Sequence, residues 1–294
     1  MPTLRDLRKK IKSIQSTKKI TKAMKMVAAA KLRRVQDRML NFRPYAISMS
    51  SVLSDLAGVV GRHIHPLLAV RGRKTVEVLV ITSDRGLCGA FNTNILRAAA
   101  NYIESLKKEG LEISLSVVGR KARDYFRRRN LPARKIWIGL SGRITYANAQ
   151  EIASELITNY VSEAVDEVVL VYNEFKSLAL QKISIVRLLP FGKLEPGEGE
   201  SEVGPITGDF IYEPPVELLF EMLLPKHIEI QVYRALLESS AAEEAARMTA
   251  MENAAKNCEE LIQRVTLLAN KVRQASITKD LMDIVGGVEA LKVK

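Results

Sequence analysis

Residues 28–56, AAAKLRRVQDRMLNFRPYAISMSSVLSDL, place Ala28, Leu32, Val35, Met39, Phe42, Ala46, Met49, Leu53 and Leu56 at alternating steps of four and three. A helix turns about once every 3.6 residues, so this spacing draws one apolar line along one side, the pattern of a helix laid against another helix. Upstream, Leu4, Leu7, Ile11 and Ile14 repeat the same steps, and a single helix is expected over residues 3–57. From Gln15 to Lys25 only Ile20, Ala23 and Met24 are apolar, and the line is read as losing phase there. Pro44 removes one backbone hydrogen bond and crowds the carbonyl of Leu40. Because the heptad continues across it, a kink rather than a stop is expected, with Gly58 and Gly61 ending the helix.

The other end of the chain mirrors this. Between Pro215 and Val285 there is no glycine, and Pro225 is the only internal proline. Met248, Met251, Ala255, Cys258, Ile262, Val265, Ala269 and Val272 form a second seam. Ser239, Ser240, Ala241, Ala242, Ala245 and Ala246 leave room for a neighbouring backbone to approach closely. Gly286 and Gly287 are read as the C-terminal stop.

The sequence between the long helices changes character. Thr75–Thr82, Glu112–Val118, Lys135–Ile138, Glu167–Asn173 and Lys182–Leu189 read as strands; Asn92–Glu109, Lys121–Arg129 and Asn148–Glu163 read as helices. This alternation implies an α/β layer with a mainly parallel sheet. The expected organisation is a coiled-coil helix over 1–60, an α/β domain over 74–192, a mobile acidic loop over 193–208 and a coiled-coil helix over 209–287. The two long helices should run antiparallel from either side of the inserted domain. At about 1.5 Å per residue they measure roughly 80 and 105 Å, which sets the N-terminus opposite about residue 269 and leaves about one and a half dozen C-terminal residues without a partner helix. Ile277, Leu281, Ile284 and Val285 keep an apolar face on that projecting tip, which calls for a partner outside the chain.

Charge is concentrated at one end. Thirteen basic side chains lie within residues 1–38 against only Asp6 and Asp37, so this segment carries nearly all of the net charge of +12. Its partner should be acidic. No run approaches the about 18 apolar residues of a membrane span. The charged first twenty residues hold no continuous apolar stretch, so no secretory signal is expected; their basic, acid-poor character leaves a mitochondrial transit peptide open, against which the helical pattern runs on well past residue 40. Cys88 and Cys258 are read as isolated thiols, and His63 and His65 as a loop pair rather than a metal site. There is no GxxxxGK[ST], HExxH or GxSxG, and Ser83–Asn92, SDRGLCGAFN, lacks the dinucleotide spacing. Gly86 and Gly89 there are read as a tight turn, with Asp84 and Arg85 as an ion pair fixing it. No catalytic, cofactor or metal site is expected.

Ile11–Arg34 (IKSIQSTKKITKAMKMVAAAKLRR), Thr82–Asn92 (TSDRGLCGAFN), Ala246–Met251 (ARMTAM) and Arg273–Gly286 (RQASITKDLMDIVG) together resemble the γ subunits of F-type ATP synthases, in order and over essentially the whole chain. The resemblance implies a coiled coil carrying an inserted Rossmann-like α/β domain. It also implies the role of the central rotor stalk, a non-catalytic subunit that couples proton or sodium flow through a membrane c ring to conformational change in the head. The implied partners are the α and β subunits of the head, the ε subunit and the c ring, with no nucleic acid and membrane contact only through the c ring. Matched residue by residue, it assigns Lys19, Lys22, Met24, Lys25, Arg247, Arg273, Gln274 and Thr278 to head contact and coupling. It assigns Ile277, Leu281, Ile284 and Val285 to a bearing tip, and Tyr212 and Glu213 to a foot on the c ring. Chloroplast members carry a paired-cysteine insertion, absent here, so thiol gating is not expected. The implied setting is the cytoplasmic face of a bacterial inner membrane, peripherally bound.

Two rival readings rest on the basic helix. Nucleic acid would account for its charge, yet residues 1–38 hold no aromatic side chain for stacking. Anionic lipid attracts basic amphipathic helices, but no Trp or Phe marks the apolar face.

Overall fold

Thr3 starts the first long helix. Its hydroxyl accepts from the Asp6 amide at 3.2 Å while the Asp6 carboxylate accepts from the Thr3 amide and hydroxyl at 3.2 and 2.7 Å, a reciprocal cap that satisfies donors left over at a helix start. The computed structural model describes residues 3–59, 65–178, 180–191 and 214–292. Helix α1 spans Leu4–Val59, passing without interruption through Pro44 and one residue beyond Gly58. Helix α5 spans Val216–Lys292 and contains Pro225. Between them lie β1 (Thr75–Ile81), α2 (Phe91–Lys108), β2 (Glu112–Val118), α3 (Arg120–Arg127), β3 (Lys135–Trp137), α4 (Tyr146–Val161), β4 (Glu167–Phe175) and β5 (Gln181–Leu189). The expected acidic loop at 193–208, Gly61 and His63 fall outside the described residues.

Two compact units divide the chain, one of residues 29–247 and one of residues 1–28 with 248–294. The larger is built on a five-stranded sheet in the order β3-β2-β1-β4-β5, parallel except for β5 against β4. Alternation along β1 sends Leu79 and Ile81 to one face and Val76, Val78 and Val80 to the other. The second face is covered by α2 and α3. The first packs on α4 and on the parts of α1 and α5 in this unit, where Leu32, Val35 and Leu53 meet Leu224, Ile228, Val232 and Leu236. Phe42, Tyr233 and Tyr146 tie α1, α5 and α4 together, Phe42 meeting Tyr233 edge-on at 4.8 Å. Glu77 breaks the apolar run of β1 yet is fully buried, because Ser116, Arg134 and Asn159 supply its carboxylate with donors.

The turn after β1 is held from inside. Thr82 bonds the Val118 carbonyl and caps the Ala122 amide of α3, and Asn92 bonds Ser83 and the Cys88 sulfur. Asp84 does not pair with Arg85, contrary to the expectation. Its carboxylate accepts from the backbone amides of Arg120, Gly139 and Ser141, so it clamps three loops, and Arg85 is exposed. Amides fixed in position give a carboxylate directed partners without the entropy of ordering a second long side chain.

The smaller unit is an antiparallel helix pair. Leu7 packs on Val265 and Ala269, with Leu4, Ile11, Ile14 and Val272 at the edge. Lys18 pairs with Glu259 and Lys25 with Glu252, both at 2.9 Å. A step of seven forward on α1 is therefore matched by seven back on α5. The α1 line does not lose phase between Gln15 and Lys25. Lys18, Thr21, Met24 and Lys25 occupy it, Thr21 being buried with its hydroxyl on the Lys18 carbonyl. A lysine stem covers apolar surface while its ammonium reaches the rim, so the seam continues in polar residues. Ile20 and Ala23, apolar in sequence, lie outside it.

Gly286 and Gly287 do not stop α5, which runs to Lys292. Neither adopts the left-handed backbone that a glycine terminator uses. Gly119, in contrast, sits at φ +96°, and an added Cβ would lie 2.3 Å from the Thr82 carbonyl oxygen. Gly119→Ala is therefore expected to destabilise the chain by about 2–4 kcal/mol, whereas Gly286→Ala should leave the melting transition unchanged or raise the helical signal slightly. Thermal denaturation followed by circular dichroism checks the opposite signs.

Candidate interaction surface

In the smaller unit, α1 presents a basic face. Lys19 and Lys22 are exposed, and among the described residues neither has a salt bridge. Lys25 is half-buried on Glu252, whose carboxyl its hydrogen bond holds below the ordinary range. Met24 is half-buried at the seam edge. On α5, Val272 is the last seam residue, and every residue from Arg273 to Val288 is exposed. Arg273, Gln274 and Thr278 begin this stretch. Ile277, Leu281, Ile284 and Val285, between 52% and 63% exposed, continue it. That proportion on bulky apolar side chains repeated at helical spacing marks a surface for a partner.

Arg247, in the larger unit, is placed differently from the lysines. It is buried, with its guanidinium on Glu243 and at 2.8 Å from Glu244. Lys31 of α1 approaches Glu244 at 3.6 Å, and the Ser141 hydroxyl donates to Glu243 at 3.0 Å. Burial pushes the Glu243 carboxyl up, and Arg247 opposes that shift. Burial would discharge the guanidinium, but Glu243 and Glu244 outweigh it and hold its pKa above the ordinary value. The guanidinium is thus committed to two carboxylates of its own helix, and those carboxylates link α5 to α1 through Lys31 and to the loop after β3 through Ser141. Tyr212 and Glu213 fall outside the described residues.

Sequence periodicity missed part of the surface. Ile20, Met26 and Val27 on α1 and Leu261, Leu267 and Leu268 on α5 are large, apolar and exposed. Their signal is that they lie off the seam while remaining apolar. Cys88 and Cys258 are both buried free thiols, and burial pushes the Cys88 thiol up, which disfavours the reactive thiolate. The chemistry of this surface is that of binding, with cations beside apolar side chains on rigid helices.

The two kinds of basic residue should respond in opposite ways. Arg247→Ala leaves Glu243 and Glu244 buried without their cation and is expected to cost the isolated chain about 3–5 kcal/mol. Lys19→Ala and Lys22→Ala should change its stability by no more than about 0.5 kcal/mol. Urea denaturation of the three variants measures this.

Comparison with known proteins agrees with these features. The family described as ATP synthase matches residues 3–291. ATP synthase gamma chains of Anaeromyxobacter sp. (strain K) and Pelotomaculum thermopropionicum are each 48% identical over 99% of this chain and 100% of their own length. Among solved structures, the central stalk and c-ring structure of the Tetrahymena thermophila mitochondrial ATP synthase contains a chain 30% identical, covering 80% of this chain and 99% of that one, with a TM-score of 0.61. A rotor chain of the Euglena gracilis mitochondrial ATP synthase, 23% identical over 93% of this chain and 98% of that one, shares the fold with a TM-score of 0.62. The chain belongs to the ATP synthase γ chain family.

Proposed function

We propose that this chain is the non-catalytic central rotor stalk of a bacterial ATP synthase, peripheral at the cytoplasmic face of the inner membrane. It couples ion flow through a c ring to the ATP sites of an αβ head, and its α/β domain is the docking body for ε and the c ring. The observation that carries the reading is the exposed run from Arg273 to Val288 beyond the last seam residue, an apolar helix end that no other described residue covers. A surrounding sleeve of head subunits covers it. Lys19, Lys22 and Arg273 then face carboxylates of the head, Met24 and Lys25 flank them at the seam edge, and Gln274 and Thr278 supply hydrogen bonds. Arg247 acts from within the larger unit, neutralising Glu243 and Glu244, the carboxylates that Ser141 and Lys31 engage. Tyr212 and Glu213 are the proposed c-ring foot. No helix among the described residues is long and apolar enough to cross a membrane, which accords with contact through the ring.

Reconstitution tests this. Mixed with α and β subunits, the chain should enter a complex at one copy per head and raise steady-state ATP hydrolysis at least tenfold, on the order of 1.4 kcal/mol of activation. Absence of a complex with folded partners contradicts the reading. Met24→Lys adds a cation beside Lys22 and Lys25. It should leave assembly intact and lower ions pumped per ATP, and unchanged pumping counts against the coupling role. Truncation after Thr278 removes the exposed apolar tip. Assembly should fall more than rotation, and full loss of rotation in assembled particles counts against a bearing.

A further inference from the structure

Residues 138–145 connect β3 to α4, and together with Tyr146, the first residue of α4, they bond to both long helices. The Ser141 hydroxyl donates to Glu243 of α5 at 3.0 Å, and the Tyr146 hydroxyl donates to Glu229 of α5 at 2.8 Å. Glu229 and Glu243 lie nearly four turns apart on one face, about 21 Å at 1.5 Å per residue. Arg38 of α1 donates to the Ile144 carbonyl at 3.1 Å. From the sheet side, the Asp84 carboxylate accepts from the Gly139 and Ser141 amides at 2.8 and 3.3 Å. Ile144 is buried in the core that the sheet shares with the helices. One short connection is thus anchored to the turn after β1 and reaches α1 once and α5 twice.

The rest of this face is apolar, with Leu32, Val35 and Leu53 meeting Leu224, Ile228 and Val232. Apolar contact is non-directional, and helices packed in this way accommodate small sliding shifts. A hydrogen bond weakens steeply once its angle departs from the preferred range. Directed bonds from one anchored connection to two helices therefore resist turning of either helix against the sheet.

We propose that residues 139–146 form a clasp that holds α1 and α5 against the α/β domain under twist, with Arg38, Ser141 and Tyr146 as its positioning residues. The inference rests on the rotor reading and adds the place where the larger unit resists torque. The three bonds are dispensable for folding. Without the Ser141 hydroxyl Glu243 keeps Arg247, without the Tyr146 hydroxyl Glu229 keeps Lys226, and Arg38 is exposed. Removing them strands no buried charge, unlike loss of Arg247.

The test uses reconstituted complexes with the head fixed to a surface and a probe on an exposed position of α2. ATP is withdrawn to stop the particles, and the angular spread of the probe is recorded. Arg38→Gln/Ser141→Ala/Tyr146→Phe should widen the variance of that spread by about twofold or more, as sliding contact replaces directed bonds. ATP hydrolysis should be unchanged, and restoring Ser141 should narrow the spread again. Trp137→Phe, which removes a hydrogen bond to Glu151 inside the α/β domain, is the control and should leave the spread as in the wild type. An unchanged spread in the triple variant overturns the clasp and leaves the rotor reading intact. Equal widening by Trp137→Phe also overturns it, since any loosening of the domain would then suffice. Arg38→Gln alone, measured in parallel, decides the matter if the triple variant does not fold: a widened spread supports the clasp and an unchanged one overturns it. A wild-type chain that forms no complex with heads overturns the rotor reading and the clasp with it.

Discussion

From Ala235 to Ala245 every residue of α5 is buried, and the larger unit depends on that enclosure. A helix buried on all sides must touch neighbours on every face, and the side chains here explain how. Ala241 and Ala245 belong to the core shared with α1 and α4, while Ala242 packs on Cys88 and Phe91 of the turn after β1. Small residues bring the helix axis close to its neighbours on both sides. The same stretch buries Glu238, Glu243 and Glu244, a costly load that Arg234, Arg247, Lys31 and Ser141 meet with opposite charge or donors. A buried pair of this kind adds little net stability against an apolar replacement, but it is severely penalised when one partner is lost or misplaced. It therefore fixes how α5 meets α1 and the loop after β3.

A doubly wound sheet usually takes its ligand where the strand order reverses, outside the carboxyl ends of the central strands. Here that lies beyond β1 and β4, and the groups nearby are spent on the fold. Asn92, Ser83, Asp84 and Thr82 bond one another or the backbone of α3 and the following loops. Phe91 and Phe175 close on Ala242 and Ala246. The run TSDRGLCGAFN is thus a structural joint between sheet and long helix. A joint of this kind suits a part that transmits force, because a load on α5 reaches the sheet through packed side chains rather than a flexible loop.

Much of this was legible in the sequence because period and seam are local properties. Each strand and helix of the α/β domain was placed within about two residues, and the α5 seam matched residue for residue from Met251 to Val272. The misses have physical causes. Lys18 and Thr21 occupy a seam that hydrophobicity alone cannot follow, since a lysine stem and a bonded threonine pack as apolar groups do. Gly286 and Gly287 lack tertiary contact and therefore follow the helix around them rather than end it. Asp84 chose backbone amides over its neighbour Arg85, a preference that depends on where β3 returns. Arg247 looked like a surface cation because its two carboxylates lie at i−3 and i−4 on its own helix, where pairing and solvation read alike in sequence. Exposed Ile20 and Val27 are hidden for the converse reason: they are apolar yet lie off the seam that dominates the period of the helix.

The central claim is that this chain turns as one part within its assembly. The direct measurement attaches a visible probe to an exposed position on α2, fixes the reconstituted head to a surface and supplies ATP. Rotation in one direction, stopping when ATP is exhausted, is the predicted result. A stationary probe on particles that continue to hydrolyse ATP would contradict the account.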